Sequence, residues 1–398
     1  MQWIAGGVTA ARGFTASGLS AGIKVSRRPD VALVAADRPV TAAAVFTTNR
    51  VQAAPVHLSR ARLQQGRARA VLLNSGCANC MTGAAGLRDA RTLSRAVAKS
   101  LRSPEEQILV ASTGLIGTRL PVRRVLAAVP ELVRQLSRAR HLEAATAILT
   151  TDRLPKEAAV EATVGGRTIR LGGMAKGAGM IAPCMATMLC VLTTDAAMPA
   201  GLLREVLREA SAQTFNRLSI DGDMSTNDTV FGLASGRAGV TITAGERARL
   251  FGRMALEVTR KLALAMAQDG EGVTRVAEIR VSGARTDSEA QRCARQVATS
   301  SLVKTMLAGG DPNVGRLAAA AGASGAGFNP DRLEIRIGTR RVVKRGTVVR
   351  LQPKLARRLL ARRRVRIELD LHAGRGSGWM LTTDLTEAYV RINARYVT

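Results

Sequence analysis

The sequence predicts an α/β protein, and three observations support that class. Short apolar runs rich in Val, Ile and Leu alternate with Ala-, Leu- and Arg-rich stretches of helical spacing. Many of the 38 glycines fall in short turn clusters between those runs. A hydrophobic content of 46% with 22% charged residues, over 398 residues, describes a core-forming chain long enough for two packed bodies. Aromatic residues make up only 3%, so Leu, Val, Ile and Ala must fill the core.

Residues 70–73 read as a short strand that runs into the turn Asn74-Ser75-Gly76. The small residues Gly83-Ala84-Ala85-Gly86 then give way to a helix over 87–101. A second strand, 108–111, ends in Ser112-Thr113-Gly114, and a third, 168–171, ends in Gly172-Gly173 before Lys176. Polar and glycine residues thus recur where strands end, where backbone N–H groups can face a ligand. Residues 199–212 read as an amphipathic helix with proline in its first turn, and 245–268 as a long helix closed by Asp269-Gly270. Between about 272 and 280 the composition turns β-rich and basic, which divides a main domain, 1–275, from a C-terminal domain, 276–398.

The formal net charge of +29 raises a nucleic-acid reading, because neutralised phosphates supply affinity without sequence preference. Residues 340–366 hold twelve Arg or Lys and no acidic residue. Yet Leu355, Leu359 and Leu360 fall near helical spacing there, and Val365, Ile367, Leu369 and Leu371 alternate with polar residues as in a half-exposed strand. Two Trp, two Tyr and six Phe leave few platforms for stacking bases. The segment therefore reads as an Arg-rich solvated face, and no nucleic-acid partner is expected.

Five cysteines, an odd number without a secreted pattern, suggest a reducing compartment. Cys77 and Cys80 form a CxxC, but His57, His141 and His372 show no ligand spacing, so buried thiols are expected and no metal. No signal peptide is apparent in residues 1–18, and the longest apolar run, 180–192, is too short to span a bilayer. A cytoplasmic protein without a membrane partner is expected.

The densest stretch runs from Gly172-Gly173 through Lys176-Gly177-Ala178-Gly179 to Ala186-Thr187-Met188. Its glycines free the backbone, Lys176 brings a cation into the turn, and Thr187 lies among small apolar residues. Other blocks flank it: Gly6-Gly7-Val8-Thr9-Ala10, Phe46-Thr47-Thr48-Asn49, Asn74-Ser75-Gly76, Ser112-Thr113-Gly114-Leu115-Ile116-Gly117 and Thr150-Thr151-Asp152 with Pro155-Lys156-Glu157. Downstream come Phe215-Asn216-Arg217, Asp221-Gly222-Asp223, Ser225-Thr226-Asn227-Asp228-Thr229, Asp269-Gly270-Glu271-Gly272, Asp311-Pro312-Asn313 and Asp384-Leu385-Thr386, running to Asn393 and Thr398.

Taken in order, these blocks resemble the ArgJ family over essentially the whole chain. The resemblance implies a DmpA/ArgJ-like layered sandwich of sheets covered by helices, with a smaller C-terminal α/β domain. It implies a glutamate N-acetyltransferase of arginine biosynthesis that moves acetyl from N2-acetylornithine to glutamate, with acetyl-CoA as an open second donor and no cofactor. Thr187 would be the nucleophile, released by self-cleavage after Ala186 into an alpha chain, 1–186, and a beta chain, 187–398, assembled as a heterotetramer of two of each. Thr113 and Gly114 would stabilise the oxyanion. Lys176, Glu271, Asn393 and Thr398, with Thr187, would bind substrate.

The implied chemistry is physically coherent. A Thr hydroxyl needs a base at hydrogen-bond distance, and cleavage would create an α-amine on Thr187 that titrates near ~7.7–8.0. A cation and an anion together suit amino-acid substrates. Four positions depart from the family's pattern: Arg153 replaces a substrate-contacting Thr, Cys77 and Cys184 replace Asn, and Val314 replaces Trp. Arg153 would add a permanent charge beside Lys176; alternatively Thr151 takes over its contact. Two further readings stand beside this one: a self-cleaving aminopeptidase or amidase of the same fold, and a basic nucleic-acid-binding protein.

Overall fold

The computed structural model describes residues 1–182 and 188–395, with the backbone alone at 353, 356 and 357. Its longest strand, Val31–Phe46, organises the larger sheet. The first half pairs antiparallel with Phe14–Leu19 on one side and Arg67–Asn74 on the other, and the second half pairs with Thr229–Ala234. The register with Arg67–Asn74 breaks between Ala35 and Val40, where Pro39 has no N–H to give the ladder. Among the described residues the sheet has nine strands, and Leu189–Thr194 lies between Arg167–Lys176 and Thr229–Ala234.

This sheet is covered on both faces, which is why its strands read as near-continuous apolar runs. Val31, Leu33 and Ala35 pack with the helices Gly83–Leu101 and Val122–Arg134, while Ala32, Val34 and Ala36 face the opposite layer with Phe14, Ala144 and Ile148. Cys190 and Leu192 join the helices Ala200–Gln213 and Gly245–Gln268 in a further core, while Leu189 and Val191 point the other way. Side chains thus alternate between layers with the strand period of two. The mixed α/β class and the layered sheets of the sequence reading are what the chain forms.

Among the described residues a second sheet of seven strands holds Val276–Ala284, Glu334–Ile337, Arg364–Asp370 and Gly376–Thr383, and also the earlier strand Leu218–Ser219. Ile279, Val281, Ile335, Ile367 and Leu369 face the helices Asp287–Thr299, Ser301–Gly309 and Val314–Gly322. The other face carries Arg336, Arg366 and Glu368, with Arg366 Nε 2.7 Å from Glu368 Oε1. Much of the basic 340–366 segment is therefore a polar edge hairpin and one strand whose apolar residues point inward. No described helix is long and apolar enough to cross a membrane.

Two local expectations change. Residues 83–86 are not a lead-in but the first turn of the helix Gly83–Leu101. A side chain on Gly86 would come within 1.9 Å of Thr82 Oγ1, so small residues let this turn lie against its own loop. The strand expected over 168–171 does not stop at Gly172-Gly173 but continues to Lys176. There the glycines answer close packing: a Cβ on Gly172 would stand 2.0 Å from Gly7 O, and one on Gly173 would stand 2.4 Å from Leu192 Cδ2.

Candidate active site

The parallel strands Arg67–Asn74 and Ile108–Ser112 end side by side, and their ends are tied by polar groups. Ser112 Oγ donates to Asn74 Oδ1 (2.6 Å), and Asn74 Nδ2 donates to Cys77 O (2.9 Å). Asn227 Nδ2 donates to both Ala78 O (2.7 Å) and Ser112 O (2.8 Å), which brings in the turn before Thr229–Ala234. Gly114 follows with φ +130°, and a Cβ there would lie 2.3 Å from Gly76 C and 2.5 Å from Cys77 N. Only glycine fits. The Thr113 N–H is consumed by Asn74 O (2.9 Å), whereas the Gly114 N–H meets no acceptor among the described residues. The two donors on offer here are the Thr113 hydroxyl and the Gly114 amide.

Carrying the strand through the glycine pair brings Lys176 to the same place. Its ammonium is buried, donates to Thr150 Oγ1 (2.7 Å) and to Thr113 Oγ1 (3.4 Å), and lies 3.6 Å from Asp152 Oδ2. Asp152 Oδ1 also accepts from Lys156 Nζ (2.7 Å) and Gly177 N (2.7 Å), and Lys156 bridges onward to Asp269 Oδ2 (2.7 Å). Burial alone would raise the Asp152 carboxyl, but Lys176 and Lys156 outweigh it and hold it far below the usual carboxylate range. Burial lowers the Lys176 ammonium, against the pull of Asp152. The result is a poorly solvated cation, held by an ionised carboxylate and facing a cleft.

A carboxylate lines the same cavity. Glu271 N donates to Ala178 O (2.9 Å), and the Glu271 carboxyl lies over Gly179, where a Cβ would stand 2.6 Å from it. The helix Glu387–Ala394, capped by Thr386, packs on Gly272, whose φ of +67° suits glycine and where a Cβ would fall 2.4 Å from Tyr389 N. That contact sets Asn393 Nδ2 at 2.7 Å from Glu271 Oε2.

Of the residues singled out from sequence, Thr113, Gly114, Lys176, Glu271 and Asn393 line one cavity of about 230 Å³, together with Thr150, Thr151 and residues 225–227. Arg153 is not brought there: its side chain is 64% exposed and its Nε lies 3.2 Å from Asp269 Oδ1, while Thr151 lines the cavity. Ala186, Thr187, Thr398 and Cys184 lie outside the described residues; the chain resumes at Met188. Cys77 and Cys80 are buried free thiols, and Val314 opens a helix of the second sheet's layer. A larger cavity, about 800 Å³, opens around Arg217 and Trp379 and shares no residue with this one.

The model of the ArgJ family matches residues 15–398. The chain belongs to the ArgJ family. The arginine biosynthesis bifunctional protein ArgJ of Symbiobacterium thermophilum is 46% identical over the full length of both chains. That of Thermosynechococcus vestitus is 44% identical over 100% of this chain and 99% of its own. Among solved structures, the ornithine acetyltransferase of Mycobacterium tuberculosis, complexed with ornithine, is 44% identical; the match covers 46% of this chain and 96% of that one, with a TM-score of 0.42.

Sequence reasoning named the cleft's charged residues but not what holds them. Asp152 and Lys156, four residues apart, formed a readable pair within a quoted block. Nothing local signalled that Lys176 and Asp269 would join them, because those contacts are made across folded layers. Asn227 and Asp228 stood within a quoted block, with no role assigned to either.

Proposed function

We propose that this chain is a glutamate N-acetyltransferase of arginine biosynthesis, taking acetyl from N2-acetylornithine by way of an ester on Thr187. The observation that supports it best is one small cleft lined by a buried cation, Lys176, and by the Glu271–Asn393 pair. An amino acid presents both a carboxylate and an ammonium, and each has an opposite charge to meet. The Thr113 hydroxyl and Gly114 amide line the same cleft as donors for a developing oxyanion.

Self-cleavage starts the cycle. The Thr187 hydroxyl attacks the Ala186 carbonyl, the peptide C–N bond breaks, the proton passes to the departing nitrogen, and water hydrolyses the resulting ester. The α-amine of Thr187 then takes the hydroxyl proton as oxygen attacks acetylornithine. Ornithine leaves with that proton on its α-nitrogen, and the α-amine of glutamate attacks the acetyl ester to regenerate the hydroxyl. Thr398 completes the substrate-binding set in this reading. The two halves assemble as a tetramer of two alpha and two beta chains, and the enzyme works in the cytoplasm; acetyl-CoA stays an open second donor, which the assay below decides.

The test is a transfer assay with glutamate and either N2-acetylornithine or acetyl-CoA, alongside intact-mass measurement. Acetylglutamate should form from acetylornithine, with fragments 1–186 and 187–398 present. Thr187→Ala should leave one uncut, inactive chain. Transfer by that variant, or by a chain that stays whole, would remove Thr187 from the mechanism.

A further inference from the structure

Donor and acceptor of the proposed transfer differ in charge: acetylornithine carries one carboxylate, glutamate two. Among the described residues lining the cleft, Lys176 is the one cation and Glu271 a carboxylate that repels further anions. Glutamate thus brings one carboxylate more than the cleft has cations. A second cavity, of about 650 Å³, shares Thr150 and Thr151 with the cleft and is lined by Lys24, Arg28, Arg153 and Arg395 among others. The one carboxylate among its described lining residues, Asp152, is already engaged by Lys176 and Lys156. Arg28, Arg153 and Arg395 are exposed, whereas Lys24 is half-buried.

The position of Lys24 is built into the loop that bears it. The buried Asp30 carboxylate accepts from the backbone nitrogens of Ala21 (2.6 Å), Ile23 (2.6 Å) and Lys24 (3.1 Å), which pins residues 21–24. The Lys24 stem lies across Gly76, where a Cβ would stand 3.1 Å from Lys24 Cγ. Gly114 packs against the backbone of the same Gly76, so Lys24 and the Gly114 amide share one turn as their support. Lys24 Nζ donates to Pro29 O (2.7 Å), and an ammonium has three N–H groups to give. Burial lowers Lys24 to about 8; Asp30 and Asp152 oppose the drop, and Lys176 and Arg28 add to it. Lys24 and Lys176 therefore repel one another, and an anion that spans them relieves both.

We infer that Lys24 is a specificity-determining residue, meeting the side-chain carboxylate of glutamate while Lys176 holds its main-chain carboxylate. The inference rests on the reading of this chain as an acetyltransferase that uses glutamate as acceptor. The ornithine side chain ends in an ammonium, which Lys24 repels. One group thus favours entry of the acceptor over rebinding of the released product.

The test measures acetyl transfer from N2-acetylornithine to glutamate, and to glutamine, whose amide keeps the shape without the charge, in wild type, Lys24→Met and Lys24→Arg. Lys24→Met should raise KM for glutamate roughly tenfold or more, with kcat and KM for acetylornithine nearly unchanged. Its preference for glutamate over glutamine should fall by a similar factor, and Lys24→Arg should recover most of the loss. In wild type, KM for glutamate should rise as pH passes about 8 and Lys24 loses its charge. In Lys24→Arg that rise should be smaller, because a guanidinium stays charged; the titration of glutamate itself is common to both. Arg153→Thr, in the same cavity but at an exposed charge, should leave the preference as it is. An unchanged glutamate KM in Lys24→Met overturns the inference, as does an equal rise for glutamate and acetylornithine. Should Lys24→Met fail to fold, identical pH dependence in wild type and Lys24→Arg overturns it. Wild type that transfers no acetyl to glutamate ends the transferase reading as well, whereas transfer with an unmoved KM ends this inference alone.

Discussion

Asn393 donates to the Glu271 carboxylate over 2.7 Å and so closes the cleft with a residue from the last described helix. That helix buries none of its described residues, so its seat depends on a few contacts: the Thr386 cap, the fit against Gly272, and Tyr389 Oη donating to Asp221 over 3.3 Å. Asn393→Ala should raise KM for the amino-acid substrates roughly tenfold, the loss of one hydrogen bond to a charged group, with a smaller change in kcat. Asn393→Asp sets two carboxylates side by side and should raise KM further. Steady-state kinetics on both variants check this; equal constants in wild type and Asn393→Asp would detach Asn393 from substrate binding.

Thr113 and Gly114 differ in what a substitution removes. Thr113→Val deletes one hydroxyl whose amide neighbour is already satisfied, so kcat should fall about 10²–10³-fold while the melting temperature hardly moves. Gly114→Ala drives a Cβ into the Gly76 and Cys77 backbone, so stability should fall as well, on the order of 1–3 kcal/mol. Parallel kinetics and denaturant melts distinguish the two patterns. A Thr113→Val enzyme with wild-type kcat would leave the oxyanion without its proposed hydroxyl.

Arg153, expected beside the substrate, instead leans on Asp269 with its side chain 64% exposed. Arg153→Thr should therefore leave the constants for acetylornithine and glutamate unchanged. It should cost under about 1 kcal/mol of stability, since the ion pair is open to solvent on the arginine side. Selective improvement for acetylornithine would place the guanidinium in the cleft after all.

Lys304 is buried in the second layer and donates to Thr383 O and to Thr382 Oγ1. Burial lowers its pKa to about 8, with Asp221 and Asp384 opposing. The folded protein releases this proton near pH 8, whereas the unfolded chain keeps it to about 10.4, so the unfolded state binds more protons between those values and stability rises with pH. The full rise amounts to on the order of 3 kcal/mol. Lys304→Met should reduce it, leaving the shares of Lys24 and Lys176, which burial also lowers, against those of Cys190 and Cys293, whose thiols burial raises. Denaturant melts at about pH 7.5 and about pH 9.5 measure the difference. The same gain in both proteins would remove Lys304 as its source.

Elements with strong periodicity were legible from the sequence. The helix over 245–268 and the strand beginning at Ile108 stand where the apolar pattern placed them. Gly172-Gly173 misled because glycine marks both turns and close packing, and only the neighbours Gly7 and Leu192 decide between them. The cleft's charged residues came from family blocks, not from local pattern: Glu271 in a loop and Asn393 near the chain's end have no periodic signature. The lattice of Lys156, Asp152, Lys176 and Asp269 depends on contacts up to 113 residues apart in sequence, beyond any local signal.

The order of strands in the larger sheet has a consequence for a chain cut between 186 and 187. The strands Leu189–Thr194 and Thr229–Ala234 come from the second fragment, and both neighbours flanking them, Arg167–Lys176 and Val31–Phe46, come from the first. The second fragment thus supplies two strands that the first encloses, and neither fragment can depart without tearing two ladders. Once unfolded, the cut protein must reassemble from two polypeptides, and renaturation becomes second order. Its recovery should climb with protein concentration, whereas uncut Thr187→Ala should refold equally well at any dilution.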